Sequence, residues 1–306
     1  MADQPTGDPY EEADRRAELR ARRRAQELRR LRRQRRIVAT GVALALGAIV
    51  VVGASALFGA GGKEVPGHES PGLVRNATPQ PDWRPHTGPV PILEYHVLGA
   101  APEGARYPEL FVGRGDFRRQ MDWLARHGFE AVTLGLVQDA WYRDGTLPRK
   151  PVVISFDDGY RPQFTFALPT LKKHGWAGVL NLKAEGSDLY RSNVEAMLAA
   201  GWELASHTID HSDLTMLDAS GLKRELAGSR QILREEYGVA VRNFCYPAGR
   251  FDAKVIAAVE AAGYEGATTE IPAYARRDQP YRLGRYEILG SDGVAGMAAR
   301  LRGGRG

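Results

Sequence analysis

The sequence predicts an α/β fold, parallel strands with helices packed outside them, on three observations. From Pro89 onward, short β-branched runs alternate with segments of helical period, as repeated strand-helix units do. One run, Pro151-Val152-Val153-Ile154, stops at Ser155-Phe156-Asp157-Asp158-Gly159, which reads as a buried strand delivering acids to an open edge. A second apolar segment stops at Glu203-Leu204-Ala205-Ser206-His207-Thr208-Ile209-Asp210-His211. Both motifs therefore fall just past strands, at one end of a common sheet or barrel. Pattern alone does not separate a closed barrel from an open sheet.

Each element has its own signal. Pro91 to His96 is a first strand; Asp116 to His127 carries the stripe Phe117, Met121, Trp123 and Leu124 and stops at Gly128. A strand over 131–136 and a helix over 137–143 precede the strand into Asp157. A helix over 163–174 and a strand over 178–182 follow, then a helix over 194–200 that passes through Gly201 into the strand ending near His207. Residues 219–237 form the longest helix of the domain, with Leu222, Leu226, Ile232 and Leu233 on its buried stripe. Strand 243–246, helix 253–262, strand 267–269 and a last strand at 286–288 complete the series.

The two motifs carry the chemistry. Adjacent Asp side chains leave a strand end in different directions, so one can hold a metal while the other handles protons. Histidines four apart share one face of a helical turn, which suits a single divalent ion. Asp158, His207 and His211 then form a two-His, one-carboxylate set with positions left open. Such donors suit Zn²⁺ best, with Co²⁺, Ni²⁺ or Fe²⁺ as alternatives. Cys245 is the single cysteine, so no intramolecular disulfide forms, and it reads as a core or site-wall residue.

In order, Ser155-Phe156-Asp157-Asp158-Gly159 and Ser206-His207-Thr208-Ile209-Asp210-His211 resemble the first two motifs of the polysaccharide deacetylase family, the NodB-homology or carbohydrate esterase family 4 domain. Phe244-Cys245-Tyr246-Pro247-Ala248-Gly249 resembles its third, and the resemblance spans roughly residues 88 to 290. It implies a distorted, incomplete (β/α) barrel of about seven strands with the site at their C-terminal ends. It also implies a metal-dependent hydrolase that removes N-acetyl groups from an N-acetylglucosamine-containing cell-wall or surface polysaccharide. Asp157 takes the place of the general base acting on a metal-bound water, and Asp158 that of a ligand. The backbone N–H of Ala248, with Tyr246 beside it, takes that of the oxyanion and substrate-binding group.

Two departures stand out. Where many members place an arginine that orients the base, this chain has Cys245, leaving Arg242 or Arg250 as substitutes. The late Leu-x-His motif that supplies the general acid is replaced by Leu283-Gly284-Arg285. The best remaining acid is His96, at the end of the first strand, where some membrane-linked members carry a Tyr-His pair. The alternative function is a non-catalytic glycan-binding module that keeps the metal site without the acid.

Residues 1–36 hold twelve Arg against seven Asp plus Glu, a net charge equal to the +5 of the whole chain. The other 270 residues are formally neutral, so the folded domain shows no electrostatic footprint for nucleic acid. Ile37 to Ala60 is 24 uncharged residues, long enough to cross a hydrocarbon core of about 30 Å. Arginines before such a span mark the cytoplasmic side. The expected order is an Arg-rich cytoplasmic tail (1–36), a transmembrane helix (37–60), a Pro/Gly-rich extracytoplasmic linker (61–88) and the deacetylase-like domain (89–306). Ala54-Ser55-Ala56 offers a competing signal-peptide cleavage site, which would release the domain rather than anchor it.

Overall fold

The computed structural model describes residues 72–303. Among them no helix is long and apolar enough to cross a membrane. The expected span Ile37–Ala60 and the tail before it lie outside the described residues.

Seven parallel strands form the central sheet: β1 (Ile92–Tyr95), β2 (Pro151–Asp157), β3 (Val179–Leu182), β4 (Glu203–Ser206), β5 (Asn243–Cys245), β6 (Gly266–Thr268) and β7 (Tyr286–Glu287). Their order is β6-β5-β4-β3-β2-β1-β7, so the first strand made is interior and the last is an edge. A short strand at Glu130–Ala131 adds to the start of β2. The two edges approach each other through residues 280–285. Thr268 forms an isolated parallel bridge with Leu283, and the Ala267 and Thr269 amides donate to the Pro280 and Leu283 carbonyls. The result is a curled half-barrel, the incomplete (β/α) barrel that the motifs imply.

β2 is buried at every position because both its faces are covered, inward by the barrel and outward by helices. Outside it lie α1 (Arg114–Arg126), α2 (Leu134–Tyr142), α3 (Leu168–Lys173), α4 (Arg191–Ala199), α5 (Ala219–Lys223), α6 (Ser229–Tyr237), α7 (Ala253–Ala261) and α8 (Gly293–Gly303). Short polar side chains start several of them: Thr133 accepts from the Leu136 amide, Asp218 from Gly221 and Asp252 from Val255. The Thr133 cap explains one boundary error. The strand expected over 131–136 ends at Ala131, and the helix begins at Leu134 rather than 137.

Residues 219–237 are helical throughout, but α5 and α6 are joined by a π-helical turn, Arg224–Gly228. Leu222, Leu226 and Leu233 are buried as expected; Ile232 is only half-buried, since the extra residue rotates the face behind it. A second π-helical turn, Gln163–Ala167, opens the helical stretch that ends with α3.

The stretch 61–88 was expected to be a tether, and from residue 72 it is instead folded onto the domain. Val74 and Trp83 are buried, the Val74 amide donates to the Ala200 carbonyl at 3.1 Å, and Arg84–Pro85 pairs antiparallel with Thr146–Leu147. Arg75 reaches Glu130 at 2.7 Å, and Asn76 donates to the Ala131 carbonyl. Pro-rich composition hides these few anchors because two well-placed apolar side chains suffice to hold an extended segment.

Candidate active site

β2 carries Asp157 into the barrel, where it is 1% exposed. Both of its oxygens face Arg285: Nη1 lies 2.8 Å from Oδ1 and Nη2 lies 2.9 Å from Oδ2. Asn181, its register partner on β3, donates to Oδ1 at 2.6 Å, and the Cys245 thiol lies 3.3 Å from Oδ2. Burial alone would raise the acid's pKa. The Arg285 guanidinium outweighs it, with His207 and His96 adding to the same side, and holds the group well below the usual carboxylate range.

Arg285 is itself fully buried. Its Nε donates to the Thr269 carbonyl at 3.0 Å, and Nη2 lies 3.1 Å from Oε2 of Glu94 on β1. The arginine sought at 242 or 250 is therefore supplied by position 285. Arg242 pairs with Asp139 and Glu265, and Arg250 with Asp213, and neither pairs with Asp157. The residue that looked like a lost acid is the one that fixes Asp157.

Asp158 follows, its side chain set apart from that of Asp157 by a left-handed conformation, φ 71°. Its Oδ1 accepts no hydrogen bond although buried, and it stands 3.8 Å from Nε2 of His207, 3.8 Å from Nε2 of His211 and 3.5 Å from Nζ of Lys183. The three ligand atoms are too far apart to bond each other and close enough to share one ion. His207 Nδ1 lies 2.9 Å from the Cys245 carbonyl, so it carries the proton and leaves the Nε2 lone pair free. Burial lowers the His207 pKa to about 4, against the pull of Asp157 and Asp158, so the ring is neutral at physiological pH. An orphaned carboxylate oxygen, a fixed tautomer and a neutral imidazole are what a divalent ion requires, and the donor set fits one.

The histidines do not share a helical turn as the spacing suggested. Residues 207–211 form a loop with Thr208 at φ 65° and His211 at φ 70°. Thr208 Oγ1 accepts from the His211 amide at 2.9 Å, and the Ala184 and Glu185 amides donate to the Thr208 and Ile209 carbonyls. Ring centroids end 4.8 Å apart. Two left-handed residues bring together what a helix would have stacked.

The third motif forms a tight turn, Pro247–Gly249, with Ala248 exposed at φ 50°. Gly249 is needed here: its φ is 60° and a Cβ would stand 2.8 Å from that of Glu270. Tyr246, expected beside the substrate, is fully buried, its hydroxyl donating to the Tyr281 carbonyl and its ring stacked on Phe251. It supports the turn from below and its side chain does not reach the cleft. His96 follows β1, largely buried, with Nε2 at 3.8 Å from Glu94 Oε1. Four of the five non-glycine residues with positive φ among those described, Asp158, Thr208, His211 and Ala248, belong to this cluster. Each costs of order 1–2 kcal/mol, strain that concentrates where side chains are aimed for chemistry.

Because folding keeps His207 neutral to about pH 4, while in the unfolded chain it takes up a proton near 6.5, the unfolded state binds more protons between those values. The metal-free protein is expected to lose stability as pH falls from about 6.5 to 4, by roughly 3 kcal/mol. Urea midpoints across that window check it, and His207→Gln should flatten the slope.

Fold and cluster together define an α/β half-barrel with acids and histidines that could hold a metal ion gathered at its strand ends. The family model for polysaccharide deacetylase matches residues 144–267. The Bacillus subtilis (strain 168) protein YxkH, whose name assigns it to the polysaccharide deacetylases, is 30% identical over 214 residues, 68% of this chain and 74% of that one. The poly-beta-1,6-N-acetyl-D-glucosamine N-deacetylase of Staphylococcus aureus (strain MRSA252) is 26% identical over 208 residues, 59% of this chain and 68% of that one. In fold, the Streptococcus pyogenes deacetylase PplD, solved with acetate, superposes with a TM-score of 0.65 over 70% of this chain and 99% of its own at 21% identity. The chain belongs to the polysaccharide deacetylase family, hydrolases of N-acetylated polysaccharide.

Proposed function

We propose that the protein is a metal-dependent N-deacetylase of an N-acetylglucosamine-containing cell-wall or surface polysaccharide. The observation that carries this reading is the division of labour between neighbours: Asp157 is held by Arg285 through both oxygens, while Asp158 turns to the two histidines. A divalent ion held by Asp158, His207 and His211, Zn²⁺ fitting the donors best, would supply Lewis acidity toward water and the acetyl oxygen.

The chain's own residues do the rest. Asp157, ionised throughout the working pH range, accepts the proton of the attacking water. The Ala248 N–H, presented by a turn whose shape Gly249 permits, faces the oxygen that becomes negative. His96 gives a proton to the departing nitrogen, so that the C–N bond breaks to acetate and a free amine on the sugar. The named activity of the Staphylococcus relative supports poly-β-1,6-N-acetylglucosamine as the first polymer to try. Anchorage by residues 37–60, with the domain outside the cytoplasm, is supported by the uncharged span and the arginines before it.

The alternative, a binding module without chemistry, draws on Arg285 standing where a histidine acid was sought; the pairing of Arg285 with Asp157 supports a role for that arginine beside the base, and His96 is the residue proposed for the acid. The test is acetate release by the full chain, stripped of metal and reloaded with zinc, from poly-β-1,6-N-acetylglucosamine and from peptidoglycan. Release is expected only after reloading. Equal release by the stripped protein would sink the metal-dependent mechanism.

A further inference from the structure

The π-helical turn Arg224–Gly228 has a specific product. In an unbroken helix, neighbouring residues point about 100° apart, yet Glu225 and Leu226 are both fully buried. Leu226 takes its place in the core. The inserted residue turns Glu225 inward as well, toward the loop that joins the two histidines.

There the Glu225 carboxylate accepts the backbone N–H of Ile209 at 2.8 Å. Ile209 lies midway between His207 and His211 and is itself buried. Its amide would otherwise be a buried donor without a partner, and an ionised acceptor makes the stronger bond. The other carboxylate oxygen makes no hydrogen bond and pairs only by charge with the largely exposed Arg224, whose Nη2 lies 2.7 Å away. Other ties of the loop run from the backbone amides of 184 and 185, from Thr208, and from His207 to the carbonyls of Leu182 and Cys245. Glu225 is therefore the side chain from outside the loop that holds its central peptide.

We propose that Glu225 is a positioning residue for the metal centre, fixing the 207–211 loop in its left-handed conformation so that both Nε2 atoms face Asp158 before an ion arrives. The proposal rests on the reading of Asp158, His207 and His211 as the ligand set. It assigns to the π-helical turn the task of aiming this carboxylate.

The test measures Zn²⁺ affinity of the full-length chain by competition with a chromophoric chelator, beside the thermal stability of each metal-free form. Glu225→Ala is expected to raise the zinc Kd by about 10–100-fold. Glu225→Gln, which keeps one acceptor oxygen, should recover most of the loss. A folded Glu225→Ala protein that binds zinc as tightly as wild type overturns the proposal. Should that variant not fold, amide exchange on the wild type decides: protection of the Ile209 N–H without metal supports the clamp, and exchange at open-loop rates overturns it. A wild type that takes up no zinc overturns the ligand set itself, a result distinct from equal binding by wild type and variant.

Discussion

Replacing Arg285 with leucine is expected to cost about 3–5 kcal/mol of folding stability, because removing one partner leaves buried charge without compensation. The guanidinium lies between two buried carboxylates, Asp157 with both oxygens engaged and Glu94 at 3.1 Å. Burial drives the Glu94 pKa well above its ordinary value, with Arg285 opposing and Asp157, Glu270 and Glu287 adding to the rise. Without the arginine, Asp157 joins Glu94 in an acidic pocket and must be protonated or hydrated. Lysine is no substitute, since a point charge cannot meet both oxygens of Asp157 in a planar fork. The pH dependence supplies a signature. In the wild type the depressed Asp157 pKa contributes stability above about pH 3.8, which fades as pH falls toward the folded-state value. In Arg285→Leu the largest opposition to burial is gone, with His207 and His96 left to counter it, and that pKa rises; acid between pH 7 and 5 therefore relieves the variant while the wild type still keeps its Asp157 contribution in full. Urea denaturation at pH 7 and near pH 5 should show the gap narrowing; a constant gap would mean that Arg285 matters through packing alone.

The second large effect is on rate. Asp157→Asn should lower turnover by about 10²–10⁴-fold while zinc stoichiometry stays unchanged, since the proposed base is lost and the proposed ligands Asp158, His207 and His211 are untouched. Asparagine keeps the shape and one acceptor oxygen but places an amide against Arg285, so some loss of stability comes with it. Acetate release should therefore be normalised to folded, zinc-loaded protein. Turnover at the wild-type level would remove Asp157 from the mechanism, and loss of zinc would mean that it, rather than Asp158 alone, holds the ion.

Much of this site was legible because its signals are local. A strand that ends in two acids and a segment that ends in spaced histidines announce themselves within a few residues, and both came together as the alternation of elements required. The backbone between the histidines was not legible, because Thr208 and His211 adopt positive φ for reasons of tertiary contact that no propensity records. Tyr246 was misplaced because motif membership does not tell a side chain that touches ligand from one that props up a turn. Arg285 was missed because its partner lies 128 positions earlier. One clue was present: Glu94 interrupts the apolar run Ile92-Leu93-Glu94-Tyr95, and a charge inside a buried strand asks for a cation from another strand.

The strand order also bears on how the enzyme comes into being. A ribosome delivers β1 first, but its outer neighbour β7 and the residues that stitch the two sheet edges emerge roughly 190 residues later. Until then a nascent chain carries Asp157 and Glu94 without the guanidinium that reconciles them. A chain that stops before residue 285 is thus left with two acids it cannot bury in partnership, and the charge balance at the heart of the barrel is among the last things synthesis provides.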